Sequence, residues 1–149
     1  MPVIKSPDKF VATFEDEKRT VQAFVEVLKK EEDALIHGRI DDLDMLASDK
    51  ARLAEKLEFQ AKQRMQYLSF LGYSPDKNGM TLWLSKQSNP ELQAIWNDLT
   101  ELVKLAQQIN QTNGKVISTQ LQYNQRAYMA LQSAAGNISL YGSKGQAFI

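Results

Sequence analysis

The chain has 149 residues, of which 43% are hydrophobic and 24% charged, a composition typical of one folded domain and too apolar for a disordered chain. Lys and Arg together number 18, as do Asp and Glu, so no basic excess indicates binding to nucleic acid or to an anionic membrane. Cysteine is absent, which excludes disulfides and thiolate chemistry, and no apolar run approaches the length of a membrane span.

The first predicted helix begins at Ser6, a capping residue followed by Pro7 and Asp8, which are favoured in a first turn. Apolar residues then recur at steps of three, four and seven and share one helix face: Phe10, Phe14, Val21, Val25, Leu28 and Leu35. Gly38 is predicted to end this helix, with His37 in its last turn.

The second predicted helix is capped by Asp41 or Asp42 and ends at Gly72. Its apolar residues repeat close to the heptad spacing of a coiled coil: Leu43, Leu46, Leu53, Leu57, Met65, Leu68 and Leu71. Two helices of about 30 residues with so short a connection must lie antiparallel, so residues 1–72 are predicted to form a coiled-coil-like hairpin. Lys50 and Arg64 interrupt the seam, and we expect a third helix or a second subunit to cover it.

Residues 73–89 are predicted to be a linker, because Pro75, Asn78-Gly79 and Ser88 favour turns, with one short helical piece around residues 80–84. A third long helix then starts at Asn89-Pro90 and runs over residues 90–135. It is either continuous or bent near 112–115, since a glycine inside a helix costs about 1 kcal/mol relative to alanine. Residues 136–149 are predicted to be a mobile tail of the same single domain.

Two neighbouring stripes run along the third helix when it is drawn at about 100° per residue. The first stripe is expected to pack on the hairpin and consists of Leu105, Ile109, Val116, Tyr123, Ala127 and Ala134. The second stripe lies about 100° or more away and consists of Ile117, Leu121 and Tyr128, interleaved with Asn110, Asn113, Gln120 and Asn124.

The second stripe belongs to a segment with almost no charge. From residue 105 onwards only Lys115, Arg126 and Lys144 are charged, while twelve Asn and Gln residues are present. Burying amides that find partners costs far less than burying charges, and their hydrogen bonds can fix a register. The stripe could therefore bind an amphipathic helix of another protein. The alternative is one broad, fully buried helix face, as is common in bundles.

Two motifs frame this segment, N-Q-x-N-G at 110–114 and L-Y-G-x-x-G-Q at 140–146, with Asn124-Gln125 between them. Together they resemble the FlgN family of flagellar export chaperones. The match covers Asn110, Gln111, Asn113, Gly114, Asn124, Gln125, Leu140, Tyr141, Gly142, Gly145 and Gln146. Val116 and Ile117 stand where family members have a bulky apolar pair, whereas residues 1–72 resemble the family in pattern only.

The resemblance implies a chaperone that holds the C-terminal helices of hook-associated proteins, which form the hook–filament junction, and that delivers them to the export gate. Combined with the second stripe, it assigns cargo binding to Asn110, Asn113, Ile117, Gln120, Leu121, Asn124 and Tyr128. It assigns docking on the cytoplasmic domain of the export gate to Leu140, Tyr141 and Gly142. The expected location is the cytoplasm, without nucleic acid or membrane insertion, and self-association stays open.

No catalytic, metal or cofactor site is predicted. His37 is the only histidine, so neither a zinc site nor a histidine-based triad can be assembled, and Asp41, Asp42 and Asp44 do not follow calcium-loop spacing. We therefore expect an all-α, non-enzymatic protein with a long antiparallel hairpin, a third long helix packed on it, a short helix in the linker and a flexible C-terminal tail. The alternative is a structural coiled-coil or adaptor protein, or a secreted axial subunit, without chaperone activity.

Overall fold

Four α-helices make up residues 7–134, the part of the chain that the computed structural model describes. They are α1 (Pro7–Ile36), α2 (Ile40–Phe70), α3 (Lys77–Ser85) and α4 (Pro90–Ala134). No strand occurs within these residues, and the predicted all-α class is confirmed. The chain divides into two compact units, residues 1–113 and 114–149, and the predicted tail at 136–149 lies outside the described residues.

α1 and α2 form the predicted antiparallel hairpin. Glu17 near the start of α1 pairs with Arg64 near the end of α2. Glu31 near the end of α1 pairs with Lys50, whose Nζ lies 3.3 Å from Oε1 of the carboxylate. Residue numbers that increase along α1 are therefore paired with residue numbers that decrease along α2, so the two helices are antiparallel.

The tip of the hairpin differs from the prediction in how α2 begins. Gly38 has a φ of 67°, the left-handed conformation that glycine adopts without strain, and it separates the helices as expected. Arg39 then takes the N-cap position without a side-chain cap, so the predicted capping by Asp41 or Asp42 is wrong. Both aspartates lie in the first turn of α2, where their charge suits the positive end of the helix dipole. Arg39 Nε also donates to Asp42 at 3.2 Å.

The linker contains a longer helix than the sequence predicts. The Asp76 side chain accepts the Gly79 N–H at 2.9 Å, and this cap starts α3 at Lys77. Asn78-Gly79, predicted to be a turn, lies inside the helix for this reason. α3 then buries three large side chains, Met80, Trp83 and Leu84.

Two of the three hydrophobic clusters among the described residues of the first unit join the hairpin to α3 or α4. One is an aromatic cluster in which the Trp83 ring centroid lies 4.8 Å from that of Phe10 and 6.1 Å from that of Phe14. Its buried members are Phe10, Phe14, Leu68, Met80, Trp83, Leu84, Leu92 and Ile95. The other joins α1 to α4 through Val21, Val25, Leu28, Leu99, Ala106 and Ile109. α4 is therefore the predicted third helix packed on the hairpin.

Gly79→Ala is expected to lower the free energy of unfolding by about 3 kcal/mol, the upper range for overpacking a well-filled site. A Cβ at this position would lie 1.7 Å from the backbone oxygen of Ser74, which has no flexible end that could move aside. Urea denaturation followed by circular dichroism measures the change.

Gly114→Ala is the matched control, because a Cβ there meets nothing within 4 Å and alanine favours a helix interior by about 1 kcal/mol. It is expected to raise helix stability. A Gly79→Ala variant as stable as wild type would contradict the close approach of α3 to Ser74.

Candidate functional site

The segment that the sequence singles out lies on α4. Asn89 Oδ1 accepts the Glu91 N–H at 3.0 Å, and Pro90 occupies the first helical position, so this helix begins where its caps predict. It continues as α-helix through residues 112–115, including Gly114. The residues up to 113 belong to the first unit and those from 114 to the second.

Asn113 is part of the core of the first unit. Its side chain is only 1% exposed, and its Nδ2 donates to the Leu28 carbonyl oxygen and to Glu31 Oε1, each at 3.0 Å. Lys50 binds the same carboxylate oxygen, so every member of this small network has a partner. The predicted role of Asn113 in cargo binding does not agree with this position, because its amide is inaccessible to another protein.

The other members of the second stripe are exposed. Ile117, Leu121 and Tyr128 in the second unit are 43%, 58% and 48% exposed. Gln120 and Asn124 in the same unit and Asn110 in the first are also exposed. The fully buried helix face that was the alternative does not occur between residues 114 and 133, where every side chain is exposed.

The first stripe does not pack along its length as predicted. Ile109 is buried, whereas Leu105, Val116, Tyr123 and Ala127 are exposed, and the Ala134 side chain lies outside those described. Periodicity indicates which residues share a face of a helix but not whether another element covers that face. Residues 114–133 therefore present apolar side chains from both stripes to solvent.

Charge is almost absent from this exposed segment. Lys115 and Arg126 are the charged residues between 114 and 133, and at about 100° per residue both lie on the side opposite the second stripe. We call the exposed face formed by Ile117, Gln120, Leu121, Asn124 and Tyr128 the amide–apolar face. It combines apolar anchors with groups that donate and accept hydrogen bonds, and so it fits an uncharged protein surface.

A second polar contact within the first unit was missed by the sequence analysis. The Arg64 guanidinium donates to the buried Glu17 carboxylate and lies 4.9 Å from the centroid of the Trp96 ring. Burial raises the pKa of Glu17, and the charge and hydrogen bond of Arg64 partly oppose that rise. Arg64 therefore compensates a buried acid rather than leaving a flaw in the hairpin seam.

A metal site and a membrane-spanning helix each have requirements that residues 7–134 do not meet. These residues contain no cluster of three or more His, Asp or Glu that could hold a metal ion. No helix among them is long and apolar enough to cross a membrane.

Comparison with known proteins agrees with the arrangement of the helices. The FlgN protein family model matches residues 1–147. The crystal structure of a flagella synthesis protein FlgN from Pseudomonas aeruginosa superimposes with a TM-score of 0.68 and 26% sequence identity, covering 78% of this chain and 90% of that one. No curated protein matches the chain. Since the family model spans nearly its whole length, the protein belongs to the FlgN family and has a role related to the flagellum.

Proposed function

We propose that this protein is a cytoplasmic, non-enzymatic chaperone of flagellar protein export. It binds the C-terminal helices of hook-associated proteins, prevents their premature assembly and delivers them to the export gate. The observation that carries the proposal is the amide–apolar face of α4, where every side chain from 114 to 133 is exposed although many are apolar and few are charged. An exposed surface of this kind commonly marks a protein interaction site.

The recognition we propose is the packing of an amphipathic cargo helix on the amide–apolar face. Ile117, Leu121 and Tyr128 supply apolar surface, and burying it contributes about 25 cal/mol per Å². Gln120 and Asn124 supply hydrogen bonds that a cargo helix must satisfy, which favours a matching register. Asn110 is exposed in the first unit and stays a proposed cargo contact, whereas Asn113 is left out because it is buried. Such binding needs no nucleotide and no covalent step.

Calorimetric titration of the purified protein with a hook-associated protein tests this function. We expect binding to the full-length partner and its loss when the C-terminal helices of the partner are removed. Equal binding without those helices would contradict the proposal. A stable oligomer of this chain that binds no hook-associated protein would instead support the alternative of a structural coiled-coil or axial subunit.

The contact with the export gate is proposed from the sequence, because Leu140, Tyr141 and Gly142 lie outside the described residues. A large amphipathic side chain such as tyrosine is well suited to anchor an interface. A chaperone must release its cargo as well as hold it, so separate surfaces for cargo and gate are physically reasonable.

Tyr141→Ala is expected to abolish binding to the cytoplasmic domain of the export gate and to keep cargo affinity within about tenfold, or 1.4 kcal/mol. Leu121→Ala is the matched variant, expected to weaken cargo binding and spare the gate. Titrations of both partners against both variants measure the difference. Equal loss of both affinities in Tyr141→Ala would mean that this residue serves the cargo site or the fold.

A further inference from the structure

Side chains along the amide–apolar face recur in a heptad pattern that continues to Leu131. Steps of four, three, four and three residues separate Ile117, Leu121, Asn124, Tyr128 and Leu131. All five are exposed, and the backbone is α-helical throughout. This is the spacing of the seam positions in a coiled coil, so residues 117–131 present the seam of one coiled-coil helix to solvent.

Asn124 is the central residue of this seam and the one whose side chain is neither aliphatic nor aromatic. An asparagine at a seam position stabilises less than leucine, and its buried amide reduces affinity unless the facing helix supplies a polar group, so it discriminates between facing side chains. Asn113 in the same helix illustrates this chemistry, since its buried amide donates two hydrogen bonds across a helix interface. Asn124 can make equivalent hydrogen bonds only with a polar group that a partner helix places directly opposite it.

The residues that flank the seam cannot select a partner helix through salt bridges. Ser118, Gln120, Gln125 and Ala127, which border the seam, are uncharged. In coiled coils the flanking positions commonly choose the partner through salt bridges, and that mechanism is unavailable here. Selection therefore depends on uncharged groups, and within the seam itself Asn124 is the side chain whose amide needs a matching polar group.

The size of the seam favours a partner that binds transiently over one that stays bound permanently. Its apolar side chains are already about half covered, and a fully buried aromatic contributes at most about 250 Å². Two helices joined through this seam alone would bury roughly 1,000 Å², below the roughly 1,200 Å² of stable complexes. That size suits a cargo helix that is later released and not a permanent subunit.

We propose that Asn124 is the specificity-determining residue of this surface. Its partner is one helix with apolar residues at the same alternating spacing and an amide or hydroxyl side chain facing Asn124. The proposal rests on the proposed function, because it defines the cargo helix that the same surface would accept.

Two synthetic peptides of 21 residues test the proposal. Both carry five seam positions with uncharged flanks. Four of these positions are leucine, and the third, central one is Asn in one peptide and Leu in the other. Both peptides are made in two seam spacings, 4-3-4-3 and 3-4-3-4, because a parallel partner places a residue of the same seam position opposite Asn124 and an antiparallel partner places a residue of the other seam position there. Fluorescence anisotropy measures the affinity of each peptide for the full chain and for Asn124→Leu.

Wild type is expected to bind the Asn peptide at least about fivefold more tightly than the Leu peptide, since an unpaired buried amide reduces affinity by about 5- to 150-fold. Asn124→Leu is expected to reverse that preference. Gln122→Leu makes the same change on the far side of the helix and should keep the wild-type preference.

The same peptide ratio in wild type and Asn124→Leu would overturn the role of Asn124 while leaving the proposed function intact, provided that Leu121→Asp still prevents peptide binding. Peptide binding that survives Leu121→Asp would overturn both, because the surface would then not be used. Failure of both peptides to bind wild type would overturn the role of Asn124, and the titration with a hook-associated protein would then test the proposed function by itself.

Discussion

Leu121→Asp is expected to weaken binding of a hook-associated protein by about 3 kcal/mol, more than 100-fold, which is the range of a central interface residue. The Leu121 side chain is 58% exposed in the free protein, so a carboxylate there stays hydrated and leaves the fold intact. In the complex the same carboxylate would be buried without a partner. Calorimetric titration gives the affinity, and circular dichroism establishes that helicity is retained.

Met129→Asp is the matched control for this prediction. Met129 is 67% exposed on the same segment of α4 but lies about 100° or more from the centre of the second stripe and outside the first. The same charge is therefore added where no cargo contact is proposed, and affinity should change by less than tenfold, about 1.4 kcal/mol. Equal weakening by both substitutions would show that charge on the helix, and not the amide–apolar face, controls binding. A drop in the stability of free Leu121→Asp would place Leu121 in the core.

The helices could be predicted because their start and stop signals depend on local backbone chemistry. Proline at the first helical position marks the starts of α1 and α4 at Pro7 and Pro90. Gly38 and Gly72 follow α1 and α2, and both have the positive φ that favours glycine after a helix. Such signals need no knowledge of the tertiary fold, so the hairpin followed from the sequence.

The candidate site was harder to predict, because whether an amide on a helix is buried or exposed depends on the element that faces it. Asn113 and Asn124 are the same residue type on the same helix and were assigned to the same stripe. Asn113 is buried because the Leu28 carbonyl and the Glu31 carboxylate satisfy its amide, whereas Asn124 is exposed. Lys50 and Arg64 are a second example. Each pairs with a buried glutamate on α1, and periodicity alone does not indicate which acidic residue faces which basic one.

Arg64→Met is expected to lower the free energy of unfolding by about 3–5 kcal/mol at neutral pH, the cost of leaving one member of a buried ion pair without its partner. Glu17 would remain buried with its negative charge uncompensated, and the contact of Arg64 with the Trp96 ring would also be lost. Urea denaturation of wild type and variant measures the difference.

The pH dependence of that difference identifies Glu17 as its cause. Burial already raises the pKa of Glu17, and removing Arg64 abolishes the two interactions that oppose the rise. A carboxyl group with a raised pKa in the folded state destabilises the fold as the pH increases through that pKa, and the loss is recovered when the group is protonated. The difference in the free energy of unfolding between wild type and Arg64→Met should therefore become smaller as the pH falls from about 7.5 to about 5.

The double variant Glu17→Leu/Arg64→Met completes the cycle, because it replaces both charges with apolar side chains. Replacing a whole buried ion pair in this way is commonly neutral or stabilising by about 1–4 kcal/mol, so the double variant should be at least as stable as wild type. Lowering the pH should raise the stability of Arg64→Met relative to wild type, but it should not do so for the double variant. A deficit in Arg64→Met that is independent of pH, and that persists in the double variant, would instead assign the role of Arg64 to its packing on Trp96.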